Sequence, residues 1–172
     1  MRKVEVVDYQ TEWPLLFEEE KKVLHQLFLD NSHAVFHIGS TAVPGLAAKP
    51  IIDVMPVVYN LHQADALNED MEQLGYVVKG ENGLPGRRYF EKGGDHRTHH
   101  VHLFQIGNQE ITRHLAFRDY LRTHSKEAQR YGQLKKENAL LYPDDIAAYI
   151  EAKMTVVKEI EQLALHWYKT TK

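Results

Sequence analysis

The residue patterning of this sequence of 172 residues changes near residue 108, and that change limits the folds it can adopt. Before it, short runs rich in β-branched residues, such as 51–58, alternate with helical patterns. After it, apolar residues recur at helical spacing over 109–124, 126–141 and 144–168. Strands confined to one part of a chain are typical of an α+β protein. We predict a mixed or mostly antiparallel sheet with helices packed on it and a helical C-terminal half.

The elements of the first part can be placed individually. We expect a helix from Glu12 to about Leu29, a strand over Ala34–Ile38 and a buried strand over Ile51–Val58. A second helix is expected over Leu61–Leu74, where Gly75 would end it. Three further strands, expected to form an antiparallel meander, are Tyr76–Val78, Arg88–Glu91 and Thr98–Ile106.

The chain length fits one domain. We therefore predict a single domain over 1–172, with a sheet-containing lobe over about 1–108 and a helical lobe over about 109–172. No run rich in glycine, proline or serine marks a flexible linker between the lobes. The number of subunits is left open.

Charge and composition exclude several classes of protein. The formal charge of -3 argues against stable nucleic-acid binding through a broad basic surface, so any bound phosphate needs a local site. The chain has no cysteine, which excludes disulfides and thiolate metal sites. No apolar run resembles a signal peptide or a membrane span. We expect a cytoplasmic protein with no membrane partner.

A glycine-serine turn followed by an aspartate on the next strand is the first candidate site. The turn at Gly39 and Ser40 can offer backbone N–H groups and a hydroxyl to phosphate oxygens. Asp53, thirteen residues later, can hold a divalent cation against the same oxygens. The alternative is an ordinary strand, loop and strand with a capping or ion-paired aspartate.

The longer segment of sequence around this turn resembles the GrpB family, whose proteins are similar to nucleotidyltransferases of the polymerase-β type. The block that carries the resemblance runs from His37 to Asp53 and includes Lys49. The resemblance extends over nearly the whole chain, through Pro85–Phe90, 99–102, Leu115–Arg122 and Tyr149–Lys153.

The resemblance implies a nucleotidyltransferase-like fold and a bound nucleotide or other phosphorylated small molecule. It also implies metal-dependent nucleotidyl or phosphoryl transfer in which Asp53 and Ser40 act directly. Whether this chain is an enzyme is left open. Family members fused to dephospho-CoA kinase suggest an alternative, a non-catalytic binding or folding-assistance module connected with coenzyme A biosynthesis.

The metal ligands depart from the pattern that the resemblance implies. The superfamily places a second carboxylate two residues after the first, but here that residue is Met55, whose thioether is a poor ligand for magnesium. His100 and His102 share one face of the last predicted strand. With Asp53 on a neighbouring strand they would suit one transition metal such as zinc or manganese better than magnesium. The alternative is a polar sheet face with hydrogen-bonded histidines, and no organic cofactor is implied.

Two cations interrupt the apolar faces of the C-terminal helices. Lys153 lies on the stripe that includes Ile150 and Ile160, and Arg118 lies on the stripe that includes Leu115. A cation on an apolar face must pair with a carboxylate, extend its head to water or face a bound anion. We predict that both approach the Gly39–Ser40 turn and form one wall of a cleft.

Three functions therefore compete: a transferase, a non-catalytic ligand-binding module and a transition-metal-binding protein. Arg87 and Arg88 point to opposite faces of one strand, so at most one of them faces a given site. The predicted ligand-binding residues are Gly39, Ser40, Lys49, Arg87, Arg88, Arg118 and Lys153, and the predicted metal ligands are Asp53, His100 and His102.

Overall fold

A computed structural model describes residues 2–171 and confirms the α+β fold. The chain divides into two compact units. A sheet unit holds Thr11–Ile38 and Ile51–Ile111, and a helical unit holds the chain up to Gln10, Gly39–Pro50 and the chain from Thr112 onward. The single domain, with its predicted lobes over about 1–108 and 109–172, stays a prediction.

Six α-helices and five strands make up most of the regular structure of the described residues. Within the sheet unit, a long helix is followed by two strands, then by two short helices and three further strands. Two short 3₁₀ helices cover Leu29–Asn31 and Ser40–Ala42. The bounds are α1 Trp13–Phe28, β1 Ser32–Ile38, β2 Ile52–Val58, α2 Leu61–Asp65, α3 Asn68–Gln73, β3 Tyr76–Val78, β4 Arg87–Lys92, β5 His99–Gln105, α4 Gln109–Thr123, α5 Ser125–Leu141 and α6 Ile146–Thr171.

The strands form one sheet in the order β1-β2-β5-β4-β3. Strands β3, β4 and β5 are the predicted antiparallel meander, and β1 pairs antiparallel with β2. Strand β2 pairs parallel with β5 and places Asp53 opposite His100. The sheet is therefore mixed and mostly antiparallel, as the sequence indicates.

One face of the sheet is covered by α1 within the sheet unit. Leu24 of α1 is fully buried, as are Val54 and Val101, whose side chains point to this face from the two central strands. Phe17 of α1 stacks on His37 of β1 with the ring centroids 4.7 Å apart. Because side chains alternate along a strand, Asp53, His100 and His102 point to the opposite face.

The predicted helix over 61–74 is wrong in one respect, because two short helices, α2 and α3, replace it. Asn60 caps α2 by accepting a hydrogen bond from the backbone N–H of Gln63. The backbone N–H of Leu67 then bonds to the carbonyl of Ala64, which tightens the chain and ends the first helix. The α3 hydrogen bonds begin again from the Leu67 carbonyl.

The helical unit is packed around small residues. Gly132 of α5 lies so close to the loop around Leu46 that an added Cβ would come within 3.2 Å of the Leu46 side chain. A side chain at this position would therefore require the Leu46 side chain to shift by a few tenths of an ångström. The buried core of this unit consists of Val43, Leu46, Ala116, Tyr120, Leu121, Ala128, Tyr131, Ile160 and Ala164.

Two side chains of α6 differ from the predicted stripe. Ile150 is exposed, whereas its neighbour Tyr149 is fully buried. The buried residues of this stripe are Tyr149, Ile160 and Ala164, and Lys153, four residues after Tyr149, lies half-buried on the same face. None of the helices formed by residues 2–171 has the length and apolarity needed to cross a membrane.

A buried carboxylate attaches α1 to the sheet. Glu20 accepts hydrogen bonds from the Tyr76 hydroxyl at 2.6 Å and from Lys92 Nζ at 2.9 Å. Burial by itself raises the pKa of Glu20, but the hydrogen bonds from Tyr76 and Lys92 outweigh it and leave the pKa below its ordinary value. Glu20 is therefore ionised and stabilises the fold at neutral pH.

Replacing Glu20 tests this contribution through its dependence on pH. Glu20→Gln should lower the free energy of unfolding by about 1–3 kcal/mol at pH 7, because Lys92 loses its charged partner. A carboxyl whose pKa is depressed in the folded state stabilises above its unfolded pKa, and that stability is lost as the pH falls through the folded pKa. The difference between wild type and Glu20→Gln should therefore shrink below about pH 4.

Urea unfolding at pH 7 and pH 3 measures both quantities. Glu19→Gln is the matched control, because Glu19 is an exposed residue of the same helix. A loss of stability that is equal at both pH values would contradict the electrostatic origin of the effect.

Candidate functional site

The central pair of strands brings Asp53, His100 and His102 together on one face of the sheet. Asp53 Oδ1 lies 3.1 Å from His102 Nε2 and 3.6 Å from His100 Nδ1. The parallel register of β2 and β5 produces this geometry, because it sets Asp53 opposite His100 with His102 two residues further along. Both imidazoles thus converge on one carboxylate oxygen.

The environment keeps Asp53 ionised. Burial raises the pKa of a carboxyl, but the hydrogen bonds and electrostatic attraction of the two imidazoles outweigh burial here and hold the pKa of Asp53 well below its ordinary value. The Asp53 side chain keeps 27% of its surface exposed. It is therefore a charged, reachable acceptor on an otherwise closely packed sheet.

A second layer of side chains surrounds the two histidines. The Tyr89 ring lies 5.1 Å from the His102 ring and 5.7 Å from the His100 ring, centroid to centroid. Arg97 Nη1 lies 3.2 Å from His100 Nε2 and also forms a close ion pair with Glu91. Burial and the negative charges of Glu91 and Asp53 raise the pKa of the Tyr89 hydroxyl above its ordinary value, so Tyr89 stays protonated.

The two arginines of β4 take different roles, which the sequence left open. Arg87 lies on the face of Tyr89, with its guanidinium carbon 4.8 Å from the ring centroid. Arg88 points to the opposite face, where it pairs with Asp65 at 2.7 Å. That ion pair raises the pKa of Arg88. Of the two predicted ligand-binding arginines, Arg87 shares a face with Asp53.

The donor types on this face fit a transition metal. Two ligands at about 2.0–2.1 Å from one zinc ion in a tetrahedral site lie roughly 3.3 Å apart, close to the separations of Asp53 Oδ1 from the two imidazole nitrogens. Residues 2–171 nevertheless contain no group of three or more His, Cys, Asp or Glu side chains arranged to hold a metal ion. Metal binding by Asp53, His100 and His102 stays a prediction.

The Gly39–Ser40 turn lies in the helical unit. Gly39 has φ 73° and ψ -170°, a backbone conformation that favours glycine. The turn closes with a hydrogen bond from the backbone N–H of Val43 to the carbonyl of Ser40. Arg122 Nε donates to the carbonyl of Ala42 at 2.8 Å, which fastens the turn to α4.

Arg118 has a carboxylate beside it. Its Nε donates to Asp119 Oδ1 at 2.9 Å, and Asp119 also lies 4.0 Å from Arg122 Nη1. Burial lowers the pKa of Arg122, and the neighbouring charge of Arg118 lowers it further. Arg118 therefore lies near the arginine that holds the turn. That Arg118 shares an anion with Ser40 stays a prediction.

Lys49 and Lys153 meet at one aromatic ring. Their ammonium nitrogens lie 5.3 Å and 5.1 Å from the centroid of Tyr149, within the range of a cation–π interaction. Tyr149 itself is fully buried, and burial raises the pKa of its hydroxyl above its ordinary value. Two predicted ligand-binding lysines, a hundred residues apart in the sequence, thus share one contact in the helical unit.

Sequence reasoning missed four residues of these two groups: Tyr89, Glu91, Arg97 and Tyr149. Alternation along β4 could have identified Tyr89 and Glu91, because they share a face with their cross-strand neighbours His102 and His100. The position of Arg97 depends on the turn that precedes β5. No local pattern of that turn shows which side chain it directs toward His100.

The chain is similar to known proteins over nearly its whole length. The family model of the GrpB protein matches residues 3–163. The UPF0157 protein YqkA of Bacillus subtilis is 48% identical over 168 residues, which are 98% of this chain and 49% of that protein. The chain thus spans about half the length of that relative.

A solved structure gives the same result for the fold. The crystal structure of conserved protein GrpB from Enterococcus faecalis has a TM-score of 0.93 and 49% identity, covering 95% of this chain and 99% of that one. A dephospho-CoA kinase of Mycolicibacterium paratuberculosis is 26% identical over 98% of this chain, and the match spans 47% of that protein.

The buried Tyr149 hydroxyl makes a testable difference to stability. Among the described residues it has no hydrogen-bond partner. A buried hydroxyl without a partner costs about 1–3 kcal/mol, so Tyr149→Phe should leave the free energy of unfolding unchanged or raise it, while keeping the ring under both lysines. Tyr149→Leu removes the ring and should lower stability by about 2 kcal/mol or more.

Thermal and urea unfolding of both variants measure the difference. Tyr59→Phe, at an exposed tyrosine of the sheet unit, is the control for loss of a hydroxyl. A Tyr149→Phe variant less stable than wild type by more than about 1 kcal/mol would show that the hydroxyl is satisfied.

Proposed function

The chain belongs to the GrpB family, and from that premise we propose that it is a nucleotidyltransferase-like protein that binds a nucleotide or other phosphorylated ligand together with one divalent metal ion. The observation that carries the proposal is the ionised Asp53 carboxylate held between His100 and His102. A carboxylate and imidazoles on one face form a donor set that suits zinc or manganese.

The proposed ligand set differs from the one that two magnesium ions would require. Magnesium requires near-octahedral oxygen ligands, and the side chain two residues after Asp53 is the fully buried Met55. Imidazole nitrogen suits zinc, iron or nickel better than magnesium, and the Asp53 carboxylate also suits manganese. A single metal held by Asp53, His100 and His102 is therefore the arrangement that we propose. When bound, it would supply a positive charge for phosphate oxygens.

Phosphate recognition is assigned to the cations of the helical unit. Lys49 and Lys153 are compact point charges, and Arg118 carries a guanidinium group whose geometry matches phosphate oxygens. Arg87, in the sheet unit, carries a second guanidinium group of this kind. In the proposed function, the Ser40 hydroxyl and the backbone of Gly39 contact a phosphate oxygen. Asp53 and Ser40 would take part directly if transfer occurs.

A second candidate function is a non-catalytic binding module. The similarity to about half of a dephospho-CoA kinase supports it, because a segment joined to such an enzyme could bind the same class of phosphorylated compound without transferring a group. The same cations and the same Asp53 face would serve both functions. The two candidates differ in whether metal and nucleotide bind together.

Thermal-shift measurements with ATP, dephospho-CoA, zinc and manganese test the proposal. A ligand that binds only the folded state raises the melting temperature by mass action. We expect ATP with manganese to raise the melting temperature of wild type more than either compound alone. Asp53→Asn should remove the share of this rise that is due to manganese. Lys153→Met should weaken ATP binding by about tenfold, since a charged contact to phosphate is lost.

Lys158→Met is the matched control, because Lys158 is an exposed lysine of the same helix. Stabilisation by dephospho-CoA or ATP without any contribution from metal would favour the binding module. Stabilisation by zinc alone would favour a metal-binding protein. No shift with any of these ligands would contradict the proposed function.

A further inference from the structure

Arg97 fixes where the proton of the His100 ring lies. A guanidinium group has only hydrogen-bond donors, so Arg97 Nη1, at 3.2 Å, must donate to His100 Nε2. A nitrogen that accepts a hydrogen bond carries a lone pair and no proton. The ring proton of His100 is therefore on Nδ1, the nitrogen that faces Asp53 at 3.6 Å.

The position of Arg97 is itself set by two contacts and by the tight turn before it. Its Nε donates to the carbonyl of Gly94 at 2.9 Å, and its Nη1 forms the ion pair with Glu91. The turn before it is tight, because a Cβ on Gly93 would lie 2.5 Å from the carbonyl oxygen of His96. Only 12% of the Arg97 side chain is exposed, so the guanidinium has little freedom to leave His100.

This arrangement opposes a metal on the Asp53 face. A metal bound by His100 beside Asp53 needs the lone pair on Nδ1, which here carries the proton. Moving that proton to Nε2 would place an N–H against the donor Arg97, so the guanidinium has to move away. The side chain left to accept from Nε2 is then Glu91, the cross-strand neighbour of His100.

We propose that Arg97 is a positioning residue that holds His100 in the Nδ1–H tautomer, and that metal binding at Asp53 replaces the Arg97 contact at Nε2 with Glu91. The proposal rests on the proposed metal site. A histidine ligand that donates its second N–H to a carboxylate is a common arrangement, and loss of such a partner changes metal affinity by about 10–100-fold. Arg97 therefore lowers the affinity of the site for a metal ion, and Glu91 raises it.

The first test needs neither a variant nor a metal. Long-range ¹H–¹⁵N spectra of the metal-stripped full chain report the tautomer of each imidazole. We expect His100 to show a protonated Nδ1 and an unprotonated Nε2, and Arg97→Met to shift the ring toward the other tautomer. A wild-type His100 protonated at Nε2 overturns the proposal, whatever the protein does with metals.

The second test is calorimetric titration of the same protein with zinc chloride. Arg97→Met should tighten zinc binding by about tenfold, and Glu91→Gln should weaken it by about tenfold or more. Lys79→Met is the matched control, because it removes a positive charge from an exposed residue of the same sheet unit. Equal changes in Arg97→Met and Lys79→Met would reduce the effect to net charge and overturn the positioning role.

Absence of zinc binding in wild type and in Arg97→Met alike overturns the exchange of Arg97 for Glu91 and contradicts the metal part of the proposed function. The expected tautomer with no zinc binding would then leave Arg97 only as an orienting partner of His100. Circular dichroism of each variant confirms that it is folded before its affinity is compared.

Discussion

The parallel pairing of β2 with β5 is the interaction on which the candidate site depends. It is a parallel contact in a sheet that is otherwise antiparallel, and it joins the hairpin of β1 and β2 to the meander of β3, β4 and β5. Its register alone decides which residues face Asp53. A shift by one residue would turn His100 and His102 to the face covered by α1.

Charge inside the sheet unit is balanced on both of its faces. On the face covered by α1, Glu20 is held by Tyr76 and Lys92; on the other, Asp53 is held by His100 and His102. The two carboxylates differ in what their partners can bind. A lysine and a tyrosine offer only donors to Glu20, whereas an imidazole can also donate a lone pair to a metal. This difference makes the Asp53 face a candidate for chemistry and the Glu20 face a structural connection.

Local patterns in the sequence were enough to predict the elements and the shared face of His100 and His102. Period-two alternation and the apolar run around Asp53 depend only on neighbouring residues, so they can be read without the fold. The break between α2 and α3 could not be predicted in this way, because it depends on backbone hydrogen bonds around Leu67. The contact of Lys49 with Tyr149 could not be predicted either, since no pattern relates residues a hundred positions apart. Arg97 was missed because a turn, and not a strand, directs it.

Anomalous diffraction from crystals of the full chain grown with zinc tests the metal site most directly. We expect an anomalous peak at about 2.0–2.2 Å from Asp53 Oδ1 and from an imidazole nitrogen of His102 and of His100. In the same map, Glu91 should lie against His100 Nε2 in place of Arg97. A peak absent from this face, or found only at exposed histidines such as His96, would contradict the central claim that Asp53 and the two histidines form a metal site.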